Sequence, residues 1–196
     1  MNKIIFASNN SHKLEEVQYA LKDLFQVVSL KEIGFTDEIP EPYETLEENA
    51  LTKSKTIFEK FGMDCFADDT GLEVEALNGA PGVYSARYAG PNCSFEDNVN
   101  KMLKEMKDKK NRNARFRTVV SLILQGKEYS FEGIVNGQIS TERKGLEGFG
   151  YDPIFIPETY ETSFAQMSLN EKNKISHRGK AIAQLVEFLK KEFKGK

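Results

Sequence analysis

Hydrophobic and polar positions alternate along the chain with two different periods, and these periods predict strands and helices. The apolar run 3–7 predicts a first strand. Apolar residues then recur every three or four positions from Leu14 to Leu24, which predicts a helix with one buried face. The run 26–30 predicts a second strand, so the chain begins as strand, polar turn, helix and strand.

The next segment has the signals of a second helix. Thr45 and Glu48 have the spacing of a capping box at its start. The apolar residues from Ala50 to Phe61 fit one face of the helix, and Gly62 is a typical stop signal. We therefore expect a helix that begins after Thr45 and ends at Gly62.

Beyond this helix the pattern predicts a buried strand and a segment rich in loops. Residues 64–67 are mostly apolar, and we expect their strand to end at Asp68 and Asp69. Residues 71–90 contain four glycines and Pro81, which predicts loops and a short ribbon.

The second half of the chain continues the mixture of strands and helices. Ser94 is a candidate cap for a helix whose apolar face runs from Val99 to Met106. A short run at 154–156 predicts a strand, and the apolar stripe within 181–193 predicts a C-terminal helix. An antiparallel section is predicted by the runs 114–125, 129–135 and 137–141. The order of elements predicts an α/β fold.

Composition and charge exclude several classes of protein. The 196 residues are 39% apolar and 29% charged, as in an ordinary globular protein, and the length of 1–196 suits one domain, or one domain with two lobes, better than two independent domains. No stretch approaches the roughly 18 apolar residues of a membrane-spanning helix. A net charge of -3 argues against nucleic acid as a partner. Cys65 and Cys93 lack the spacing of a metal site, and the start lacks signal-peptide features, so we expect a reducing, cytoplasmic setting.

The first candidate for chemistry is the polar turn before the first helix. It consists of Ser8, Asn9, Asn10, Ser11, His12 and Lys13. Backbone N–H groups at a helix N-terminus, together with a lysine, can cradle a phosphate. The same residue types also suit an ordinary cap followed by a solvated lysine, and the hexapeptide alone leaves both interpretations open.

Acidic residues supply the second and third candidates. Asp68 and Asp69 follow a predicted strand, where α/β proteins collect ligands, and a bound Mg²⁺ would offset their repulsion. An Asp-rich turn is the equally weighted alternative. In the loop 38–48, Glu41 stands between two prolines that would hold its carboxylate in place, although most acids of this loop suit a solvated surface. Glu48 has a structural role of its own as a capping residue.

Two later segments combine flat or cationic side chains with turns. Residues 148–153 place glycines beside aromatic rings, so that a planar ligand could stack there, although a glycine-rich turn with core aromatics explains the segment as well. Residues 176–178 offer His and Arg donors to a carbonyl or phosphate, and Lys172 lies just before them. The alternative for this segment is a helix cap with exposed cations.

The order of these motifs resembles that of the inosine triphosphate pyrophosphatase family, also called Ham1-like. The resemblance runs from about Lys3 to Phe193, nearly the whole chain. Each motif alone is weak, whereas all six in this order are highly specific. The six are Ser-Asn-Asn-x-x-Lys at 8–13, Glu48-Asn49-Ala50 with Lys53, Ala67 to Leu72, Gly79 to Arg87, Phe149 to Pro153, and Ser176 to Gly179.

The resemblance implies a fold, a reaction and partners. The fold would be an elongated α/β structure with a long mixed, twisted sheet flanked by helices and two lobes around a central cleft. The reaction would convert ITP, dITP and XTP to the nucleoside monophosphate and pyrophosphate, which keeps these nucleotides out of DNA and RNA precursor pools. Mg²⁺ would be the cofactor, and a homodimer is expected.

The resemblance also implies roles for individual residues. Asp69 would be the general base and a metal ligand, with Glu41 as a second metal ligand. Thr70 adjoins them in the substrate site, and Asp68 and Glu48 are further candidates for helpers. The other substrate contacts would be the triphosphate loop Ser8, Asn9, Asn10, Ser11, His12 and Lys13, the phosphate contact Lys53, the base-binding segment Phe149, Gly150, Tyr151 and Asp152, and Lys172, His177 and Arg178 near the base.

Three alternatives compete with this function. The nearest is a pyrophosphatase for other modified nucleotides, such as a methylated pyrimidine or purine. A second is a nucleotide-binding module without turnover, although Asp68, Asp69 and both lysines, Lys13 and Lys53, argue against it. A third is an α/β domain with no nucleotide chemistry, which each motif alone permits and their joint occurrence disfavours.

Overall fold

The computed structural model describes residues 2–193, so Met1 and residues 194–196 of the predicted domain lie outside the described residues. The strands are β1 (Asn2–Phe6), β2 (Phe25–Ser29), β3 (Cys65–Val74), β4 (Pro81–Gly82), β5 (Asn113–Leu124), β6 (Lys127–Ile139) and β7 (Phe155–Pro157). The α-helices are α1 (Ser11–Leu21), α2 (Leu46–Phe61), α3 (Phe95–Glu105), α4 (Leu169–Ile175) and α5 (His177–Phe193). Most of these elements lie where the hydrophobic periods predict them.

The seven strands form one mixed sheet in the order β2-β1-β3-β5-β6-β7, with β4 paired to β3. β1 lies parallel to both β2 and β3, whereas β4 and β7 pair antiparallel to β3 and β6. A two-residue turn of Gln125 and Gly126, both with positive φ, joins β5 to β6 as a tight hairpin. The mixed sheet with its helices confirms the predicted α/β fold class.

The chain divides into two compact units. Unit 1 contains residues 2–69, 118–133 and 178–193 of the described chain, and unit 2 contains residues 70–117 and 134–177. Each unit has its own hydrophobic core, formed by apolar residues that the helix and strand periods predict to be buried.

The core of unit 1 lies on two faces of β1. Ile4 and Phe6 pack into one cluster with apolar side chains of α1 and α5. Ile5 and Ala7 point into a second cluster, which contains Ile57 of α2. Because successive strand residues face opposite ways, both faces of this parallel part of the sheet are covered by helices.

The core of unit 2 is one cluster that combines helix residues with aromatic rings. Val99, Met102 and Met106 form the buried face of α3 and its cap. They belong to the same cluster as Phe116, Tyr151, Phe155 and Phe164. The helix spacing predicted after Ser94 therefore places the expected residues in a core.

The course of β3 differs from the sequence-based prediction. The strand does not end at Asp68 and Asp69 but continues to Val74, and both acids are buried within it. A buried charge is tolerated where an opposite charge compensates it, and cations approach both carboxylates. Part of the predicted loop segment is therefore strand, and Pro81 and Gly82 of β4 pair with it.

Two further differences concern short elements. The predicted separate strand at 137–141 is the end of β6, which continues without a break to Ile139 beside β7. Helix α4, which Ser168 caps, has only seven residues and thus too few positions to display a helical stripe.

Among residues 2–193, no helix combines the length and apolar character needed to cross a bilayer.

Candidate active site

The polar turn before α1 forms the cap of that helix. The Asn10 side chain accepts hydrogen bonds from the backbone N–H groups of His12 and Lys13, at 3.0 and 3.1 Å. The Ser8 hydroxyl accepts one from the Asn10 N–H at 3.2 Å. Two N–H groups of the predicted phosphate cradle are thus engaged by the cap. Asn9, Ser11 and His12 are exposed, whereas Lys13 is partly buried.

The Lys13 side chain begins a chain of alternating charges inside unit 1. Its ammonium lies 3.1 Å from one carboxylate oxygen of Asp68, and the Arg178 Nε donates to the other oxygen at 2.9 Å. The Arg178 Nη1 also donates to the carboxylate of Glu16 on α1. Asp68, Arg178 and Glu16 are almost completely buried, so the network replaces water as the partner of each charge.

The electrostatics of this network favour the charged forms of Asp68 and Arg178. Burial alone would raise the pKa of Asp68, yet the charges of Lys13 and Arg178 outweigh it and hold that pKa well below its ordinary value. Burial alone would lower the pKa of Arg178, but Asp68 and Glu16 raise it above its ordinary value. The pKa of Lys13 is lowered by burial, which the charge of Asp68 only partly offsets.

Asp69 belongs to a second charged group of unit 1. Lys53, on α2, donates to Glu41 and lies 3.5 Å from an oxygen of Asp69. Burial raises the pKa of Asp69, and the nearby charges of Glu41 and Asp68 add to the rise while Lys53 opposes it. A carboxylate with a raised pKa is a stronger proton acceptor than an ordinary one, and this favours a role as a base.

The same carboxylates suit one class of metal ion. Among residues 2–193, no three His, Cys, Asp or Glu side chains converge to hold a metal by themselves. Mg²⁺ commonly takes one or two carboxylates and completes its shell with water and substrate phosphates. Asp69 and Glu41 converge on the Lys53 ammonium, so their oxygens fit a cation that binds together with a phosphate. Glu48 is exposed and accepts a hydrogen bond from the Thr45 hydroxyl, which is a capping role.

In unit 2 the predicted base-binding segment folds around Asp152. One oxygen of this buried carboxylate accepts the backbone N–H of Phe149 at 2.9 Å and the Lys172 ammonium at 2.7 Å. The same ammonium lies 4.8 Å from the ring centre of Phe149 and 5.8 Å from that of Phe164. Asp152 therefore positions a cation and holds the backbone of Phe149, whose half-buried ring lies beside that cation, and such a pair could bind a flat polar ligand.

Tyr151 and Gly150 complete the segment. The Tyr151 hydroxyl donates to the backbone oxygen of Ser85 at 2.8 Å, and burial raises its pKa far above the ordinary value. Gly150 has a φ of 61°, a left-handed conformation that glycine adopts without strain. The structure thus gives Tyr151 a supporting contact with the segment 79–87, whereas Phe149 keeps part of its ring exposed.

His177 and Thr70 are the remaining predicted contacts of unit 2. The imidazole of His177 stacks on Phe116, with ring centres 4.5 Å apart and an interplanar angle of 18°. The residue is 4% exposed, so the stack fixes the plane of its ring. Thr70 follows Asp69 in β3 and is half-buried.

Sequence reasoning missed Glu16 as a member of the charged network. Glu16 lies three residues after Lys13 on α1, directly before the buried Val17. Residues three apart share one face of a helix, so this spacing places the Glu16 carboxylate on the same face as Lys13. The spacing from a candidate phosphate-binding lysine was therefore the signal that would have found it.

Comparison with known proteins gives the same family along nearly the whole chain. The model of the Ham1 family matches residues 4–188. The dITP/XTP pyrophosphatase of Flavobacterium johnsoniae is 51% identical over 187 residues, which cover 95% of this chain and 97% of the relative. That of Porphyromonas gingivalis is 50% identical over 190 residues, or 96% and 98% of the two chains.

Solved structures agree with this match. The HAM1 protein from Coxiella burnetii has a TM-score of 0.89 and 38% identity, over 97% of this chain and 100% of that one. The Ham1 protein of Staphylococcus aureus has a TM-score of 0.87 and 40% identity, with the same coverage. The resemblance seen in the sequence motifs is confirmed, and the chain belongs to the Ham1 family.

Proposed function

We propose that the protein hydrolyses the triphosphates of hypoxanthine and xanthine nucleosides, namely ITP, dITP and XTP, to the monophosphate and pyrophosphate. Relatives about 50% identical over nearly the full chain are named dITP/XTP pyrophosphatase, which supports this reaction class. The observation that carries the proposal is the buried carboxylate of Asp69, whose pKa is raised, beside the Lys53 ammonium. A base next to a cation is the arrangement that water attack on a phosphate requires.

The lysines of unit 1 would neutralise the triphosphate. A nucleoside triphosphate carries about four negative charges, and positioning plus charge neutralisation is most of what phosphoryl-type transfer requires of a protein. Lys13 and Lys53 supply two cations, which carboxylates of unit 1 hold in place. A bound phosphate would compete for these ammonium groups with Asp68 and Glu41.

Asp69 would activate the attacking water. In this step the water oxygen bonds to the α-phosphorus, the bond from that phosphorus to the α–β bridging oxygen breaks, and pyrophosphate leaves. The proton of the water passes to the Asp69 carboxylate, which the raised pKa favours. This accounts for a monophosphate and pyrophosphate as products rather than a diphosphate and phosphate.

Mg²⁺ is the cofactor we propose, with Asp69 and Glu41 as its protein ligands. When bound, the ion would supply further positive charge to the triphosphate oxygens. Asp68 is less suited to the metal, because its two oxygens already accept from Lys13 and Arg178.

The base contacts would come from Phe149, Lys172 and His177 of unit 2, whereas the guanidinium of Arg178 is engaged by Asp68 and Glu16 in unit 1. Phe149 offers a ring for stacking, and Lys172 and His177 offer donors. Hypoxanthine and xanthine carry an acceptor oxygen at the position where adenine carries an amino group. Donors at that position would leave the amino group of adenine opposed to another donor, which is a strong basis for rejection.

The experiment is a substrate panel with product analysis. The purified protein is incubated with Mg²⁺ and equal concentrations of ITP, XTP, GTP, ATP and dTTP, with and without a chelator. We expect ITP and XTP to give monophosphate and pyrophosphate, and we expect the chelator to abolish the reaction. Release of single phosphates, or a preference for dTTP, would refute the proposed reaction or its substrate class.

An Asp69→Asn variant tests the base. We expect it to lower kcat by about 100- to 10,000-fold, the range for a general base. Asp37→Asn is the matched control, because Asp37 is an exposed acid of unit 1 paired only with an exposed lysine among the described ion pairs. Equal activity of the two variants would exclude Asp69 as the base.

The homodimer and the cytoplasmic setting stay predictions. Sedimentation of the purified protein tests whether it forms a homodimer.

A further inference from the structure

The first residue of helix α3 contacts the base-binding segment. The ring of Phe95 lies 5.8 Å from that of Phe149, centre to centre, at an angle of 50°. Phe95 is 42% exposed, so its ring is partly accessible beside that of Phe149. Its backbone is held by the capping box of Ser94 and Asp97, so the ring projects from a fixed point.

Phe149 has a fixed backbone, whose carbonyl accepts the Asp152 N–H at 3.2 Å, but this backbone does not fix the direction of the ring. It stands between Gly148 and Gly150, whose φ values are 75° and 61°. Glycines on both sides impose little steric restriction on the ring. The backbone N–H of Phe149 is fixed by Asp152, but this bond does not set the direction of the side chain. The orientation of the ring therefore depends on side-chain neighbours, among them Phe95 and Lys172.

A second link joins the same loop to α3. The guanidinium of Arg143 donates to the Glu96 carboxylate at 3.2 Å, to the Glu96 backbone oxygen at 3.3 Å and to the Asn100 side chain at 2.8 Å. Arg143 precedes Phe149 by six residues in the connection between β6 and β7. These two attachments of the loop end on the first two turns of α3, while other hydrogen bonds of the loop join it to Ser163 and Ala165.

We propose that the start of α3 is the support of the base-binding loop, with Phe95 as a positioning residue that orients the Phe149 ring for stacking on the purine. This inference rests on the proposed function, in which Phe149 contacts the base. An aromatic neighbour that restricts the ring before binding lowers the entropy lost when the base stacks. Phe95 acts through Phe149 and takes no part in the attack on phosphorus.

Loss of the Phe95 ring should affect binding of the base but not binding of the triphosphate. The phosphate contacts of unit 1 stay unchanged. We expect Phe95→Ala to raise KM for ITP by about two- to tenfold, which corresponds to the worth of an aromatic pair, with kcat nearly unchanged. Inhibition by inorganic tripolyphosphate, which has no base, keeps the same inhibition constant.

Three further variants sharpen the experiment. Phe95→Tyr keeps the ring and restores KM to near the wild-type value. Arg143→Gln removes the second attachment and raises KM in the same direction. Leu146→Ala is the matched control, because Leu146 lies in the same loop and is 99% exposed, and it leaves KM unchanged. Thermal denaturation of each variant verifies that it is folded.

The outcomes separate this inference from the proposed function. Wild-type protein that cleaves ITP, with an unchanged KM in Phe95→Ala, would overturn the inference and leave the function intact. A rise in the inhibition constant of tripolyphosphate equal to the rise in KM would also overturn it, because the defect would then not be specific to the base. Wild-type protein that cleaves no nucleoside triphosphate would refute the proposed function itself.

Discussion

In unit 1 the carboxylate of Asp68 contacts two cations and the guanidinium of Arg178 contacts two carboxylates. In unit 2 the buried pair of Asp152 and Lys172 lies among aromatic rings. Both arrangements bury charge, but the first distributes each charge over several partners. The second combines the ion pair of Asp152 and Lys172 with the weaker attraction between a cation and π-electrons.

Because the buried charges of the two units have different partners, we expect the units to respond differently when one buried charge is removed. A buried ion that loses its partner must be rehydrated, neutralised or left uncompensated. A lysine can lose its proton in that situation, whereas an arginine stays charged in proteins. In unit 1 Arg178 cannot adjust in this way, and cations engage both oxygens of Asp68. In unit 2 the Phe149 N–H and the Lys172 ammonium share one oxygen of Asp152.

The largest expected effect follows from removing the charge at the centre of the unit 1 network. Asp68→Asn keeps the shape of the side chain but leaves the positive charges of Lys13 and Arg178 facing one another near a neutral amide. We expect the free energy of unfolding to fall by about 3–5 kcal/mol, as for other buried pairs that lose one partner. Urea denaturation followed by circular dichroism measures the change.

Asp152→Asn is the corresponding change in unit 2 and serves as the comparison. Its amide oxygen can still accept from the Phe149 N–H and the Lys172 ammonium, because both contact the same oxygen of Asp152. We expect a smaller loss of about 2 kcal/mol, the worth of a hydrogen bond to a charged group. If Asp152→Asn destabilised the protein as much as Asp68→Asn, the proposed difference between the units would be wrong.

Most of the fold could be predicted because its signals are local. The Thr45 cap and Gly62 at the end of α2 lie within or next to the helix that they delimit. The extension of β3 through Asp68 could not be predicted in this way. Its compensating charges on Lys13 and Arg178 are 55 and 110 positions away in the sequence, and only the folded chain brings them together.

The site was predicted as separate motifs rather than as a network. Sequence analysis identified Lys13, Asp68 and Arg178 as candidates in three different motifs, and each motif also had a purely structural explanation. It did not predict that Asp68 joins the other two, or that Tyr151 would direct its hydroxyl to the Ser85 backbone. Residue types indicate chemistry, whereas partners depend on long-range packing that a single sequence does not display.

A smaller effect is expected from the outer end of the unit 1 network. Glu16→Gln removes one carboxylate from Arg178, but the bond to Asp68 stays in place. We expect a loss of about 1.5 kcal/mol in the free energy of unfolding, measured by the same urea denaturation. Glu15→Gln is the matched control, because Glu15 is the exposed neighbour on α1, and we expect a change within about 0.5 kcal/mol. Equal losses in the two variants would contradict the role of Glu16.

The smallest effect concerns two thiols that report on the two units separately. Cys65 in unit 1 is 0% exposed, and burial raises its pKa to about 12. Cys93 in unit 2 is half-buried. Because the thiolate is the reactive form, we expect a disulfide reagent at pH 8 to label Cys93 in the native protein and to leave Cys65 unlabelled until unfolding.

Cys65 can then show whether unit 1 opens by itself. In a Cys93→Ser background, the labelling rate of Cys65 measures how often its surroundings open. Asp68→Asn weakens unit 1 directly and should increase this rate, whereas Asp152→Asn acts in unit 2 and should leave it almost unchanged. An equal increase in both variants would mean that the two units open together, so that the charged network protects the whole chain rather than the unit in which it lies.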